Sequence, residues 1–236
     1  MSSLPRLYSD SPLAIGVAAP ASAEQAHYLA NVMRRAPGDE VVLFNGRHGE
    51  FLARINAVSR KAVEFMPLNR LREQAAEPDL WLVFALLKRD ATDFVLRAAT
   101  ELGVSRFIPV ITERTNASRV NLERLHAIAR EAAEQCERLT LPEINQPVDF
   151  YELLSTWPVD RTLAAAIERE TGSNCDQTPP GALLIGPEGG FSSRELDFMR
   201  ATPFICALTL GPRILRAETA AIAGLTALQL RNWSNA

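Results

Sequence analysis

Residues Leu80–Leu87 read Leu-Trp-Leu-Val-Phe-Ala-Leu-Leu, an apolar run with no polar break. A strand with this composition has no face to give to water, so it must be covered on both sides. A parallel sheet with helices packed on both faces meets that demand. A bilayer span needs about 20 such residues, so this run and every other in the chain is too short to cross a membrane.

The residues that follow keep the same rhythm. Asp90 is placed to cap a helix through about Leu102, which Gly103 ends. Arg106–Ile111 is a strand candidate. Asn121 can cap a long helix to about Arg138, stopped near Pro142. Thr162–Ala166, Ala182–Ile185 and Ile205–Leu210 are further strands, with a polar loop at Glu168–Pro180. Ser192-Ser193-Arg194-Glu195 has the form of a capping box opening a helix to about Ala201. A last helix is expected from Arg216 to Arg231. Strands alternating with helices predict an α/β fold with a mainly parallel sheet.

The N-terminal segment, 1–72, differs. A capping box at Ser22–Gln25 predicts a helix over Ala23–Arg35, followed by the turn-forming Ala36-Pro37-Gly38-Asp39. Val41–Phe44, Glu50–Val58 and Ala62–Met66 read as short strands joined by turns at Asn45-Gly46 and Ser59-Arg60-Lys61. The expected architecture is a small barrel over 1–72, a polar linker at Glu73–Asp79, and an α/β domain over 73–236. Charge divides at the same place. The segment 1–72 carries nine basic and six acidic side chains; the remainder carries 16 and 22. The overall net charge of −3 is therefore an average, and it does not exclude a polyanionic partner for the basic segment.

Composition narrows the class further. The chain is 47% hydrophobic and 22% charged. It can bury real cores and is not disordered. Three cysteines at no ligand spacing and three scattered histidines predict no metal site. They fit a reducing, cytoplasmic compartment, as does an N-terminus without the apolar core of a secretory signal. Of 25 basic residues, 23 are Arg. That side chain suits bidentate phosphate and base contacts, although a GC-rich genome gives the same bias.

Two loops carry the chemistry. Gly186-Pro187-Glu188-Gly189-Gly190 follows a buried strand and precedes a capped helix. Glycine at those positions lets the backbone approach a ligand closely. It is no phosphate loop, lacking both the Lys-Ser/Thr pair and the GxGxxG spacing. Gly211–Arg216 also follows a strand and leads into Glu218-Thr219-Ala220. Ligands of open α/β sheets bind beyond the carboxyl ends of strands, so two such loops point to one shared pocket. The plainer readings are a strand–helix turn for the first loop and a carboxylate at a helix N-terminus for Glu218.

The string Leu184-Ile185-Gly186-Pro187-Glu188-Gly189-Gly190-Phe191-Ser192, with Glu195, resembles the RsmE family of 16S ribosomal RNA (uracil-N3) methyltransferases in the SPOUT superfamily. So does Leu210-Gly211-Pro212-Arg213-Ile214-Leu215-Arg216-Ala217-Glu218-Thr219-Ala220. Shorter matches are Ala99–Val104, Thr112–Thr115, Glu131–Arg138, and His27–Arg34 with Gly38-Asp39. The resemblance spans essentially the whole chain. It departs at Arg89 and Ala91, where the family has Gly and a basic residue, and at Ala98, where it often has Lys.

The resemblance implies an N-terminal PUA-like barrel, a C-terminal SPOUT domain with a trefoil-knotted sheet, and a homodimer. It implies S-adenosylmethionine as cofactor, held by Leu184, Ile185, Gly186, Pro187, Glu188, Gly189 and Gly190 and by Leu210, Gly211, Ile214 and Leu215, with a weaker contribution near Ala165–Ile167. The implied substrate is 16S ribosomal RNA, within the 30S subunit. Uracil N3 carries a proton that leaves well above neutral pH, so the site must remove it or stabilise the anion. Arg216, Glu218 and Glu188 are the candidates for that work, Glu188 and Glu218 alternatively bracing loops. Arg6, Arg34 and Arg35 are candidate RNA contacts on the basic segment; Arg114 and Arg138 are candidate RNA contacts or dimer ion pairs. Two other functions keep the same fold: methylation of a ribose 2′-hydroxyl, and a non-catalytic RNA-binding assembly factor.

Overall fold

The computed structural model describes residues 4–58, 62–115, 119–167 and 181–233. The turn expected at Ser59–Lys61 and the loop expected over Glu168–Pro180 lie outside the described residues. The chain forms two units, Met1–Glu77 with Ala133–Leu141, and Pro78–Ala132 with Pro142–Ala236. The boundary thus falls later than residue 72, and a segment assigned by sequence to the second domain belongs to the first.

In the first unit, β1 (Arg6–Tyr8) and β2 (Ala19–Pro20) lie at the edges of a five-stranded sheet. β3 (Glu40–Phe44), β4 (Glu50–Val58) and β5 (Val63–Arg72) are its antiparallel centre, in the order β1-β3-β4-β5-β2. Successive side chains of a strand point to opposite faces. Alternate residues Val41 and Leu43 on β3, and Phe51, Ala53 and Ile55 on β4, therefore enter one apolar core with Leu29 and Phe65. β5 runs on to Arg72, beyond the expected Met66. Pro67 cannot donate to a ladder, and β4 accommodates it beside a register shift between Leu52 and Ala53.

Helix α1 (Ala23–His27) starts at the expected capping box and continues as one π-helical turn, Tyr28–Val32. It stops short of Arg35 because Arg34 takes a left-handed φ of 53°. No right-handed helix continues through such a residue.

The second unit is built on a sheet in which every described pairing is parallel. Its strands are β6 (Trp81–Ala85), β7 (Arg106–Ile111), β8 (Glu143–Ile144), β9 (Val148–Asp149), β10 (Leu163–Ala166), β11 (Ala182–Ile185) and β12 (Ile205–Leu208). The order is β12-β10-β11-β6-β7-β8, with β9 also on β7. The Leu80–Leu87 run does what its composition demands. Leu82 and Phe84 enter one core, Val83 and Ala85 the other, all at 0% exposure.

Helices α2 (Arg89–Glu101), α3 (Leu122–Gln135) and α6 (Ala217–Trp233) supply the first of these cores with Val95, Leu96, Leu125, Ala221 and Leu225. Helices α4 (Phe150–Ser155) and α5 (Ser193–Ala201) supply the second with Phe150, Leu154 and Met199. Gly224 brings α6 against β11: a β-carbon there would lie 2.7 Å from Leu183 Cδ2.

Two expected helix boundaries shift. Lys88, not Asp90, is the N-cap of α2, and Asp90 sits in its first turn. A carboxylate there faces the positive end of the helix dipole. α3 ends at Gln135 rather than Arg138, and Glu137 turns the chain with a φ of 63°. Asn121 caps α3 as expected, its Oδ1 accepting the Arg124 N–H at 3.0 Å.

Candidate active site

A cavity of about 1070 Å³ opens in the second unit where the carboxyl ends of β10 and β11 meet the loops after β6, β7 and β12. Its size is that of a large ligand pocket. Ile185 and Gly186–Gly190 form one wall, and Ile214, Leu215, Arg216 and Glu218 another. Ala166 and Ile167 add an apolar floor at the weaker position expected near Ala165–Ile167. The two signature loops, separated along the chain by α5 and β12, thus share one pocket.

Gly186 is required by packing. A β-carbon there would stand 2.9 Å from the Phe191 ring, which is itself 8% exposed in the core beneath the loop. Glu188 Oε1 accepts the Lys88 N–H at 3.3 Å, joining the Gly-rich loop to the start of α2. This bond supports the bracing reading of Glu188. Arg114 packs against the same loop, its Nη1 donating to Gly189 O at 3.0 Å.

Arg114 sits in a tight turn, Thr112–Thr115, closed by Thr115 N–H to Thr112 O at 3.1 Å and by the two threonine hydroxyls 2.7 Å apart. The neighbouring Glu113 carboxyl is held below its usual range by a hydrogen bond from Ser192 and another from Tyr151.

The cavity lining therefore combines neutral backbone, apolar side chains, three cations (Lys88, Arg114, Arg216) and three carboxylates (Asp90, Glu188, Glu218). Close backbone approach and Ile167, Ile185, Ile214 and Leu215 suit a purine and an aliphatic chain; the carboxylates suit a positively charged group. Among the described residues, no cluster of His, Cys, Asp or Glu could hold a metal ion. No described helix is long and apolar enough to cross a membrane.

Some expected residues stand elsewhere. The Leu184 side chain is 0% exposed and packs in the core with Phe150 and Met199. Leu210 packs on the opposite core, and Gly211 is exposed with a φ of 99°; neither lines the cavity.

Two arginines expected to meet RNA turn inward instead. Arg6 donates from Nε to Glu50 at 2.6 Å, from Nη1 to Ala133 O at 2.7 Å and from Nη2 to Arg138 O at 2.8 Å. Its guanidinium also lies 3.7 Å from the centre of the Phe44 ring. The Arg138 side chain is 5% exposed, and burial lowers its pKa from the ordinary value, with Glu77 opposing. Both guanidinium groups serve the packing of the first unit, which corrects their assignment as phosphate contacts. Arg34 is exposed, and Arg35 is half-buried with its Nη1 3.9 Å from Asp39.

Phe94 and Leu196 also line the cavity and were missed. Phe94 is 46% exposed and lies one helical turn beyond Asp90 and Ala91. That spacing puts the three on one helix face and could have revealed it.

A parallel α/β sheet with a large pocket of glycine-rich loops at its carboxyl edge, in a chain that also carries a small β unit, defines the class: a cofactor-dependent enzyme with a separate binding module. Residues 75–229 match the family described as RNA methyltransferase domain, and residues 22–66 match the RNA methyltransferase PUA domain. The chain is 34% identical over 219 residues to the ribosomal RNA small subunit methyltransferase E of Rickettsia conorii, covering 89% of this chain and 88% of that one. The Bacillus subtilis protein of the same name is 28% identical over 223 residues, covering 87% of each.

Solved structures agree. A Legionella pneumophila protein described as a methyltransferase, in complex with the cofactor SAM, superposes with a TM-score of 0.86 at 32% identity over 98% of both chains. The ribosomal RNA small subunit methyltransferase E of Neisseria gonorrhoeae, bound to S-adenosylmethionine, gives 0.87 at 29% identity over 97% of this chain and 98% of that one. The chain belongs to the ribosomal RNA small subunit methyltransferase E family.

Proposed function

We propose that this protein methylates N3 of a uridine in 16S ribosomal RNA with S-adenosylmethionine as donor. The observation that carries the reading is the meeting of Gly186–Gly190 with Ile214–Glu218 around one cavity, in a chain of this family. The cofactor supplies an activated methyl group on a positively charged sulfur.

The chain's own residues have the remaining work. The Gly186–Gly190 backbone, Ile214 and Leu215 hold the purine and the methionine chain. Arg216, exposed in the cavity wall, stabilises negative charge on the uracil oxygens as the N3 proton leaves. Glu218, in the first turn of α6, accepts that proton or orients the group that does. Glu188 keeps the Gly-rich loop on α2.

Arg34 and Arg35 of the first unit position RNA through phosphate. The working form in this reading is a cytoplasmic homodimer with a trefoil-knotted sheet, acting on RNA within the 30S subunit. The test is transfer of labelled methyl from S-adenosylmethionine to 30S subunits and to naked 16S RNA. Transfer to neither would end the reading.

A further inference from the structure

We propose that Glu195 is a positioning residue for this reaction, holding Arg114 in the cavity wall where Arg114 meets a phosphate of the RNA substrate. The inference rests on the function proposed above.

Two capping boxes in the described residues use different chemistry at the third helical position. In the first, Gln25 Oε1 accepts the Ser22 N–H at 3.0 Å and its Nε2 donates to Tyr8 O at 2.6 Å. In the second, Glu195 Oε2 accepts the Ser192 N–H at 2.7 Å and its Oε1 accepts the Glu113 N–H at 2.8 Å. A cap needs one acceptor, and Gln or Glu supplies it equally. The atom left over decides the residue: an amide N–H where the distant partner is a carbonyl, a second carboxylate oxygen where it is an N–H.

Glu195 is 0% exposed. A buried carboxylate is costly for a task that a Gln at the same position can perform, so the second bond explains the residue. That bond crosses 82 positions of sequence to the loop after β7. The Thr112–Thr115 turn is closed on itself, so fixing the Glu113 N–H fixes the origin of the Arg114 side chain. Tyr151 OH, donating to Glu113 Oε1 at 3.0 Å, holds the same turn from α4. Arg114 then reaches Gly189 O and lines the cavity.

Glu195→Gln separates the two tasks. Its carbonyl oxygen keeps the cap, while its NH2 confronts the Glu113 N–H. KM for 16S RNA should rise about tenfold, the equivalent of one buried charge-assisted hydrogen bond. The Kd for S-adenosylmethionine should stay within about twofold, because the cap survives. Arg114→Ala should raise KM for RNA at least as far, and E195Q should add little on that background. Amide exchange at Glu113 and Arg114 should quicken in E195Q.

An unchanged KM for RNA, or effects of E195Q and R114A that simply add, would overturn the proposal. If E195Q does not fold, Tyr151→Phe releases the same turn from its other anchor and must show the same coupling to R114A. If the wild type methylates no RNA, the functional reading fails, while the exchange measurement still reports separately on whether Glu195 holds the turn.

Discussion

The Phe191 ring occupies the space that a β-carbon on Gly186 would need, 2.9 Å away. The first signature loop thereby rests directly on the core under α5, and its path cannot change without moving a buried aromatic ring. Gly186→Ala must displace that ring or the loop. Overpacking of this kind costs about 1–3 kcal/mol. The variant should lose that much stability in urea unfolding and bind S-adenosylmethionine at least about tenfold more weakly by calorimetry. Wild-type affinity in G186A would mean that the loop does not shape the cofactor site.

Arg216 and Glu218 stand in the opposite wall. Arg216→Ala and Glu218→Gln should each lower kcat by about 10²-fold or more at saturating cofactor, the usual contribution of a positioned acid–base or charge-stabilising group. Cofactor affinity should change little. If both variants retain turnover near wild type, the deprotonation of N3 is managed by other groups.

Glu50 anchors the first unit between Arg6 and Arg72. Burial alone would raise its pKa, but hydrogen bonds from Arg72 and Arg6 outweigh this and leave the carboxyl below its ordinary value. Its stabilisation is therefore complete above the unfolded glutamate value and is lost as pH falls through the folded one. Glu50→Gln should destabilise by about 3 kcal/mol at neutral pH, the cost of breaking a buried ion pair. The gap to wild type should close as pH drops below the ordinary glutamate range. A gap independent of pH would show that shape, and not charge, matters there.

Arg35 is only loosely paired with Asp39, and Arg34 precedes it in the turn that ends the first helix. If both meet phosphate, replacing each by Ala should reduce the slope of log K against log salt for RNA binding by about one. An unchanged slope would remove them from the RNA contact surface.

Much of this was legible in the sequence, for reasons visible in particular residues. Leu82 and Phe84 against Val83 and Ala85 needed two cores, and an unbroken apolar run says so. The two glycine-containing loops were legible as walls of one pocket because glycine and helix caps leave local marks. Arg6 and Arg138 were misread because an arginine's direction depends on its distant partners. Arg6 bonds to carbonyls 127 and 132 positions away, which no local pattern records. The second oxygen of Glu195 was hidden in the same way: the capping box announced the first bond, and only the folded chain supplies the Glu113 N–H.

The central claim is the chemical identity of the product. Small subunits lacking the modification should be incubated with the protein and S-adenosylmethionine, the 16S RNA digested, and the methylated nucleotide identified and located by mass spectrometry. The account expects one uridine carrying a methyl on N3, formed about 10²-fold more slowly by R216A. A methyl on a ribose 2′-hydroxyl, or on no nucleotide of 16S RNA, would contradict it.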